Sequence, residues 1–269
     1  MLWLACALLA VLACGSAPRC ARAITPSPDT LIQAIFGDLP PADAVDTNGD
    51  RALTIADVLP IARVLFGGTV AELVPHAIGD QLVYRVTDPT GVVTTEAITV
   101  TSLDAQGAFI ADDQVVDSAQ HLLVHVTQAY TDTGNMLFSG GTIDLLRNVL
   151  TTCTPPLLRL TTPIVVGQTS SMTVVCEVRT INPDVLIGYL NRTDTFTPTE
   201  IVDSFTVPAG TFTGVLHLVG NTTLSGAREV DEIYIAPGVG AIVQLATFRT
   251  QTTKHELISG TIGGLPVAP

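Results

Sequence analysis

The chain has 269 residues, 47% of them hydrophobic and 14% charged, so it can bury a substantial core and is not intrinsically disordered. Its formal net charge is −13, which repels phosphate backbones and weighs against nucleic acid as a partner. Aromatic residues make up 5%, with a single Trp near the N-terminus, so the stacking platforms usual in a sugar cleft are scarce.

The first element is an export signal over residues 1–23. Leu2 to Ala13 is an apolar run too short to span a bilayer. Ala21-Arg22-Ala23 fits a small-x-small cleavage pattern. The expected product is secreted, periplasmic or held at the cell surface, without a transmembrane segment. Cys14, preceded by Val11-Leu12-Ala13, offers the alternative of a lipidated N-terminus.

Residues 24–68 read as a small helical calcium module. Thr30 to Phe36 and Ile55 to Phe66 are apolar helical segments, each ending in Phe-Gly as a helix with a glycine C-cap does. Between them runs Asp46-Thr47-Asn48-Gly49-Asp50-Arg51-Ala52-Leu53-Thr54-Ile55-Ala56-Asp57. Read as a twelve-residue loop, it places Asp46, Asn48, Asp50, Thr54 and Asp57 at ligand positions, with the backbone carbonyl of Ala52 between them. Calcium is a hard cation that takes several oxygen ligands, and alternating oxygen side chains on a tight turn converge on one ion. Asp57 stands where an EF-hand carries Glu, and Arg51 where it carries Gly. The stretch from Ser27 to Gly68 resembles a dockerin domain, in which each half pairs a calcium loop with a helix. That resemblance implies calcium as cofactor and a cohesin-like protein as partner.

Residues 69–78, with Pro75 and no periodic run, read as a linker. Residues 79–265 read as an antiparallel β domain: a curved sheet closed as a partial barrel or sandwich. Strand-like runs rich in Val, Thr and Ile occur at 81–87, 92–100, 108–111, 122–130, 172–180, 201–207, 211–218, 229–235, 241–248 and 255–262. Thr142 to Leu150 is the one stretch with a competing helical pattern. Three strings stand out: Gly79-Asp80 before Leu82-Val83-Tyr84, Pro208-Ala209-Gly210 before Phe212, and Tyr234-Ile235-Ala236-Pro237-Gly238-Val239-Gly240. Together they resemble a recurring class of bacterial secreted and lipoprotein β domains. The motifs are structural, with Phe212 and Tyr234 expected in the core.

Cys153 and Cys176 remain after signal removal. In an oxidising compartment they most simply form one disulfide, closing a loop of about 22 residues; two buried thiols are the alternative. His121 and His125 are four apart, but on an extended strand that spacing spans about 13 Å, too far to share a metal. No nucleophile elbow, phosphate loop or zincin motif occurs. Asp112-Asp113 and Asp231-Glu232 are adjacent pairs whose members face opposite sides of a strand. The leading functional reading is a non-catalytic protein whose β domain binds an apolar small molecule or an envelope component, with the calcium module docking or bracing it. The alternative is an extracellular hydrolase, for polysaccharide breakdown, carried on a dockerin. The interior of the β domain decides between them.

Overall fold

The structure is a computed structural model and describes residues 64–66 and 68–267. The proposed calcium ligands Asp46, Asn48, Asp50, Ala52, Thr54 and Asp57 lie outside the described residues, as do the export signal and the first module helix.

Alternation of apolar and polar residues becomes a continuous antiparallel meander. It runs through β2 (Gln81–Thr87), β3 (Val93–Leu103), β4 (Ala108–Val116), β5 (Leu122–Asp132), β6 (Met136–Asp144) and β7 (Val149–Thr161). After the short β8 (Ile164–Val165) come β9 (Ser170–Thr180), β10 (Val185–Val207) and β11 (Gly210–Leu224). The chain finishes with β12 (Ala227–Ala236), β13 (Gly240–Phe248), β14 (Gln251–Ile262) and β15 (Leu265–Pro266). Thirteen strands share one sheet, and β15 only extends β14. The other twelve close on themselves, because β14 pairs with both β13 and β2. Each barrel strand pairs with its sequence neighbours, so closure leaves no free edge to template aggregation. The expected curved antiparallel sheet is therefore a complete barrel. A closing register such as Lys254 opposite Thr87, between strands far apart in sequence, has no local signature.

Two expectations change at the N-terminal boundary. Val64–Phe66, expected as the end of a helix, form strand β1 and pair antiparallel with β8. Residues 69–78, expected as a linker, contain helix α1 (Val70–Leu73), whose Val70 and Leu73 are both fully buried. The helix is short, so its ends must be satisfied from outside. Thr69 and Glu72 form a reciprocal capping box: the Thr69 amide donates to Glu72 Oε2 at 2.7 Å, and the Glu72 amide donates to Thr69 Oγ1 at 3.3 Å. The Val70 amide donates to the Gly134 carbonyl, and the Gly238 amide to that of Glu72, each at 2.8 Å. Gly134 and Gly238 sit in the β5–β6 and β12–β13 turns, so α1 plugs the barrel end where those turns lie. Val70 and Leu73 pack there with Val100, Phe109, Leu137 and Leu216. Burying two such side chains is worth roughly 1.5–3 kcal/mol each, which a free linker would forgo.

The other end is framed by six turns, β2–β3, β4–β5, β6–β7, β9–β10, β11–β12 and β13–β14, each two to five residues long. Turns that short cannot bridge a twelve-stranded barrel, and inward-facing Val126 and Val149 near them are only half-buried. This end is open. Cys153 and Cys176 face each other across β7 and β9 and are joined by a disulfide. Thr142–Leu150, read as helical, is the β6–β7 hairpin. Phe212 is buried, as expected. Tyr234 is half-buried and stacks on His217 with ring centroids 4.4 Å apart. Its neighbour Ile233 faces the barrel interior, so Tyr234 lies on the other face of the sheet, where it packs against the core cluster that contains Phe212.

Candidate functional site

Inside the barrel is a cavity of about 460 Å³, within the usual range for small-molecule sites. Its lining follows from the two-residue period of the strands. On β3 the inward face is Glu96, Ile98 and Val100; on β4 it is Phe109, Ala111 and Asp113; on β12 it is Glu229, Asp231 and Ile233. Each strand thus presents apolar residues near the plugged end and a carboxylate toward the open one. The floor against α1 is Val74, Val100, Phe109 and Leu137. There the His76 ring stacks on Phe109 at 4.3 Å, and Phe109 stacks on Tyr130 at 5.0 Å.

Above this floor lies a belt of ionisable groups in two clusters. In the first, His255 Nδ1 is 2.7 Å from Glu96 Oε2, and the Asp113 carboxyl lies against that of Glu96. Burial, then the charge of Glu96, pushes the Asp113 carboxyl up to about 7. One of its oxygens, Oδ1, is buried without a hydrogen-bond partner. Burial works against the charge on His255, but the hydrogen bond and charge of Glu96, with Asp113 and Asp231 beyond, outweigh it and raise the imidazole. In the second cluster Asp194, fully buried, accepts from Arg192 Nε at 2.9 and 3.1 Å and from Arg159 Nη1 at 3.2 Å. Burial, then the neighbouring Arg192, lowers the Arg159 guanidinium. Asp231 accepts from Gln244 Nε2 at 3.0 Å, yet burial still raises its carboxyl. Carboxyls outnumber cations in the belt: Glu96, Asp113, Asp194, Glu229 and Asp231 stand against Arg159, Arg192 and His255, and each guanidinium gives Asp194 only one nitrogen of its donor set. Tyr84, in the same wall, is also committed, donating from Oη to the Ala241 carbonyl at 2.7 Å.

The adjacent carboxylates divide as their alternation requires. Asp113 and Asp231 face the lumen, while Asp112 bonds His125 at 2.9 Å and Glu232 lies 3.7 Å from His217. His121 pairs with Asp117 at 3.0 Å, so the two histidines of the HLLVHV stretch bind separate acids. Among the described residues no group of three or more His, Cys, Asp or Glu is placed to hold a metal ion. Glu96, Arg159, Arg192 and His255 were not singled out as site residues by sequence reasoning. Their one local signal is a charged side chain in phase with apolar inward positions, as Glu96 is with Ile98 and Val100.

No family model and no curated protein matches the chain. Two solved structures are similar to it. One is a candidate lipoprotein from Parabacteroides distasonis ATCC 8503, 12% identical, with a TM-score of 0.49, covering 72% of this chain and 99% of its own. The other is a candidate exported protein with a YmcC-like fold from Bacteroides fragilis NCTC 9343, 11% identical, with a TM-score of 0.48, covering 70% of this chain and 98% of its own.

Proposed function

We propose that this chain is an exported, non-catalytic binding protein whose barrel lumen holds an amphipathic small molecule. The observation that carries this is the cavity itself: about 460 Å³, apolar against the plug and ionisable toward the open mouth. A purely structural barrel would fill that space with side chains. A lipid-like tail fits the floor of Val100, Phe109 and Leu137. A cationic head group that donates hydrogen bonds, an amine, fits a belt in which the carboxyls Glu96, Asp113, Asp194, Glu229 and Asp231 outnumber the cations. The reading keeps the apolar ligand expected from sequence and adds a polar end to it. Native mass spectrometry of the exported chain tests it: a long-chain amine should remain bound one to one, and a carboxylate of equal chain length should bind more weakly.

The same proposal includes one calcium ion held by Asp46, Asn48, Asp50, Thr54, Asp57 and the Ala52 carbonyl. Its support is the spacing of oxygen ligands. The site would brace the N-terminal segment or dock it to a cohesin-like or envelope partner. Export is supported by the apolar run and cleavage pattern of residues 1–23. No helix among the described residues is long and apolar enough to cross a membrane.

One observation favours a second reading, an extracellular hydrolase. Asp113 keeps its proton up to about pH 7 in a cavity beside Glu96, an arrangement that general acids use. Turnover of chromogenic glycosides or esters that disappears in Asp113→Asn would establish this reading and displace the first.

A further inference from the structure

Glu96 and Asp113 project into the lumen from neighbouring strands. Asp113 on β4 pairs with Ile98, one inward position along β3 from Glu96, so the two carboxyls are diagonal neighbours within reach of each other. They share a single cation: His255 of β14, whose Nδ1 lies 2.7 Å from Glu96 Oε2. Asp113 Oδ1 is buried without a hydrogen-bond partner, and among the described residues no other buried carboxylate oxygen is left so.

The groups that face this pair from other elements supply no second cation. From β2, Tyr84 Oη donates to the Ala241 carbonyl; from β5, Tyr130 Oη donates to Gln128 Oε1 at 2.6 Å. Asp112, beside Asp113 in the chain, is turned to the outer surface, where His125 binds it. His76, at the floor, lies 3.3 Å from Asp132. Beyond His255, Asp231 of β12 adds a further acid, while Arg159 and Arg192 bind Asp194. Two carboxyls served by one imidazolium, out of bulk water, keep a proton between them, since a second negative charge there has nothing to meet it. Burial and the charge of Glu96 accordingly hold the Asp113 carboxyl up to about 7. That proton neutralises the cavity wall. An ammonium head lying against Asp113 would neutralise it in the proton's place.

We infer that the lumen takes its cationic ligand in exchange for the proton shared by Glu96 and Asp113, so that the barrel holds the ligand near neutral pH and releases it in acid; this rests on the amine-binding reading of the lumen given above. One positive charge enters with the head group, one proton leaves to solvent, and the charge inside the barrel is unchanged. Where the pair already holds its proton, the ligand must displace it, and affinity falls as the proton concentration rises. The barrel is then a carrier that loads at neutral pH and empties in an acidic compartment or at an acidic surface.

Calorimetric titration of the exported chain with a long-chain primary amine, charged throughout the range from pH 5 to 8, tests the exchange. At pH 6 His255 stays charged, so the carboxyl pair is the source of any proton released. Titrations at that pH in two buffers of different ionisation enthalpy count the protons, and about one should leave per amine bound. The dissociation constant should rise about tenfold between pH 6 and pH 5, as linkage to one proton requires. Asp113→Asn keeps the shape of the protonated carboxyl but has no proton to give, so it should release none and bind with nearly the same affinity at both pH values. Binding by the wild type without proton release, or with an affinity that does not change with pH, overturns the exchange and leaves the lumen as an amine site. Full proton release by Asp113→Asn also overturns it, by assigning the proton to another group. No binding of the amine at any pH from 5 to 8 overturns the exchange together with the reading on which it rests.

Discussion

Glu96 Oε2 and His255 Nδ1 are 2.7 Å apart although their strands, β3 and β14, are not neighbours; β2 runs between them. The contact spans the inner wall of the barrel and draws Asp113 into the same group. Asp113 and His255 are both raised, so the folded barrel holds protons that the unfolded chain releases. Stability linked to them is fully present below their unfolded values and is lost as pH rises through the folded ones. For Asp113 that window runs from the ordinary carboxylate range near 4 up to about 7; for His255 it begins at the ordinary imidazole value near 6.5 and extends upward. Asp88, Asp117 and Glu256 are lowered and contribute in the opposite sense, but only in stronger acid.

The melting temperature should therefore fall as pH rises from 5 to 8. Asp113→Asn should flatten the part of that slope below pH 7 and leave the part above it. Calorimetric scans across this range check it. A melting temperature that is flat or rises would show that the lumen carboxyls do not bury a proton.

The plug makes a second prediction. Leu73 is fully buried under the floor of the cavity, so Leu73→Ala should cost about 2–5 kcal/mol in denaturant unfolding. A chain beginning at Val64, where the compact unit containing the barrel starts, should melt cooperatively without responding to calcium. A chain beginning at Ala77 lacks α1 and should melt at a clearly lower temperature. Equal melting of the two would mean that α1 only rests on the barrel.

The disulfide ties β7 to β9 at a point where the two strands already pair. Replacing Cys153 and Cys176 together by Ser should cost about 3 kcal/mol, as expected for a closed loop of this length. Unfolding curves with and without reductant would give the same difference for the wild type. No difference would mean the sheet alone holds these strands in the denatured ensemble.

Much of the strand pattern is readable because half-buried strands alternate. Gln81–Thr87 has the bounds that its period implies. The strands that escape notice do so for chemical reasons. Met136–Asp144 contains Ser139-Gly140-Gly141, which reads as a turn. Val149–Thr161 contains Pro155-Pro156, which reads as a break. The prolines fall where the ladder to β6 shifts register and beyond the last residue paired to β9, so no ladder hydrogen bond is lost to them. The capping box Thr69-Val70-Ala71-Glu72 is a helix-start signal hidden by its short length. The lumen belt is the least legible part. Glu96, Asp113 and His255 meet only through the registers of β2, β3, β4 and β14, and no local pattern encodes those.

The calcium loop makes its own prediction. Titration calorimetry on the full chain should show one site, and Asp46→Ala should remove it, because a carboxylate at the first loop position has no substitute among its neighbours. Arg51 occupies the position where glycine turns freely, so Arg51→Gly should tighten binding. Unchanged affinity in Asp46→Ala would return the segment to an ordinary Asx-rich turn.

The central claim is that the lumen holds an amphipathic molecule by an apolar floor and a belt in which carboxyls outnumber cations. Its most direct test is a calorimetric titration of the exported chain with a long-chain amine, run beside Asp113→Asn combined with Asp231→Asn. The account predicts one amine per wild-type chain, an affinity at least roughly tenfold weaker in the double variant, as expected for removing hydrogen bonds to a charged head, and weaker binding of the matched carboxylate by the wild type. No heat of binding for either probe, or equal affinity in wild type and variant, would contradict it.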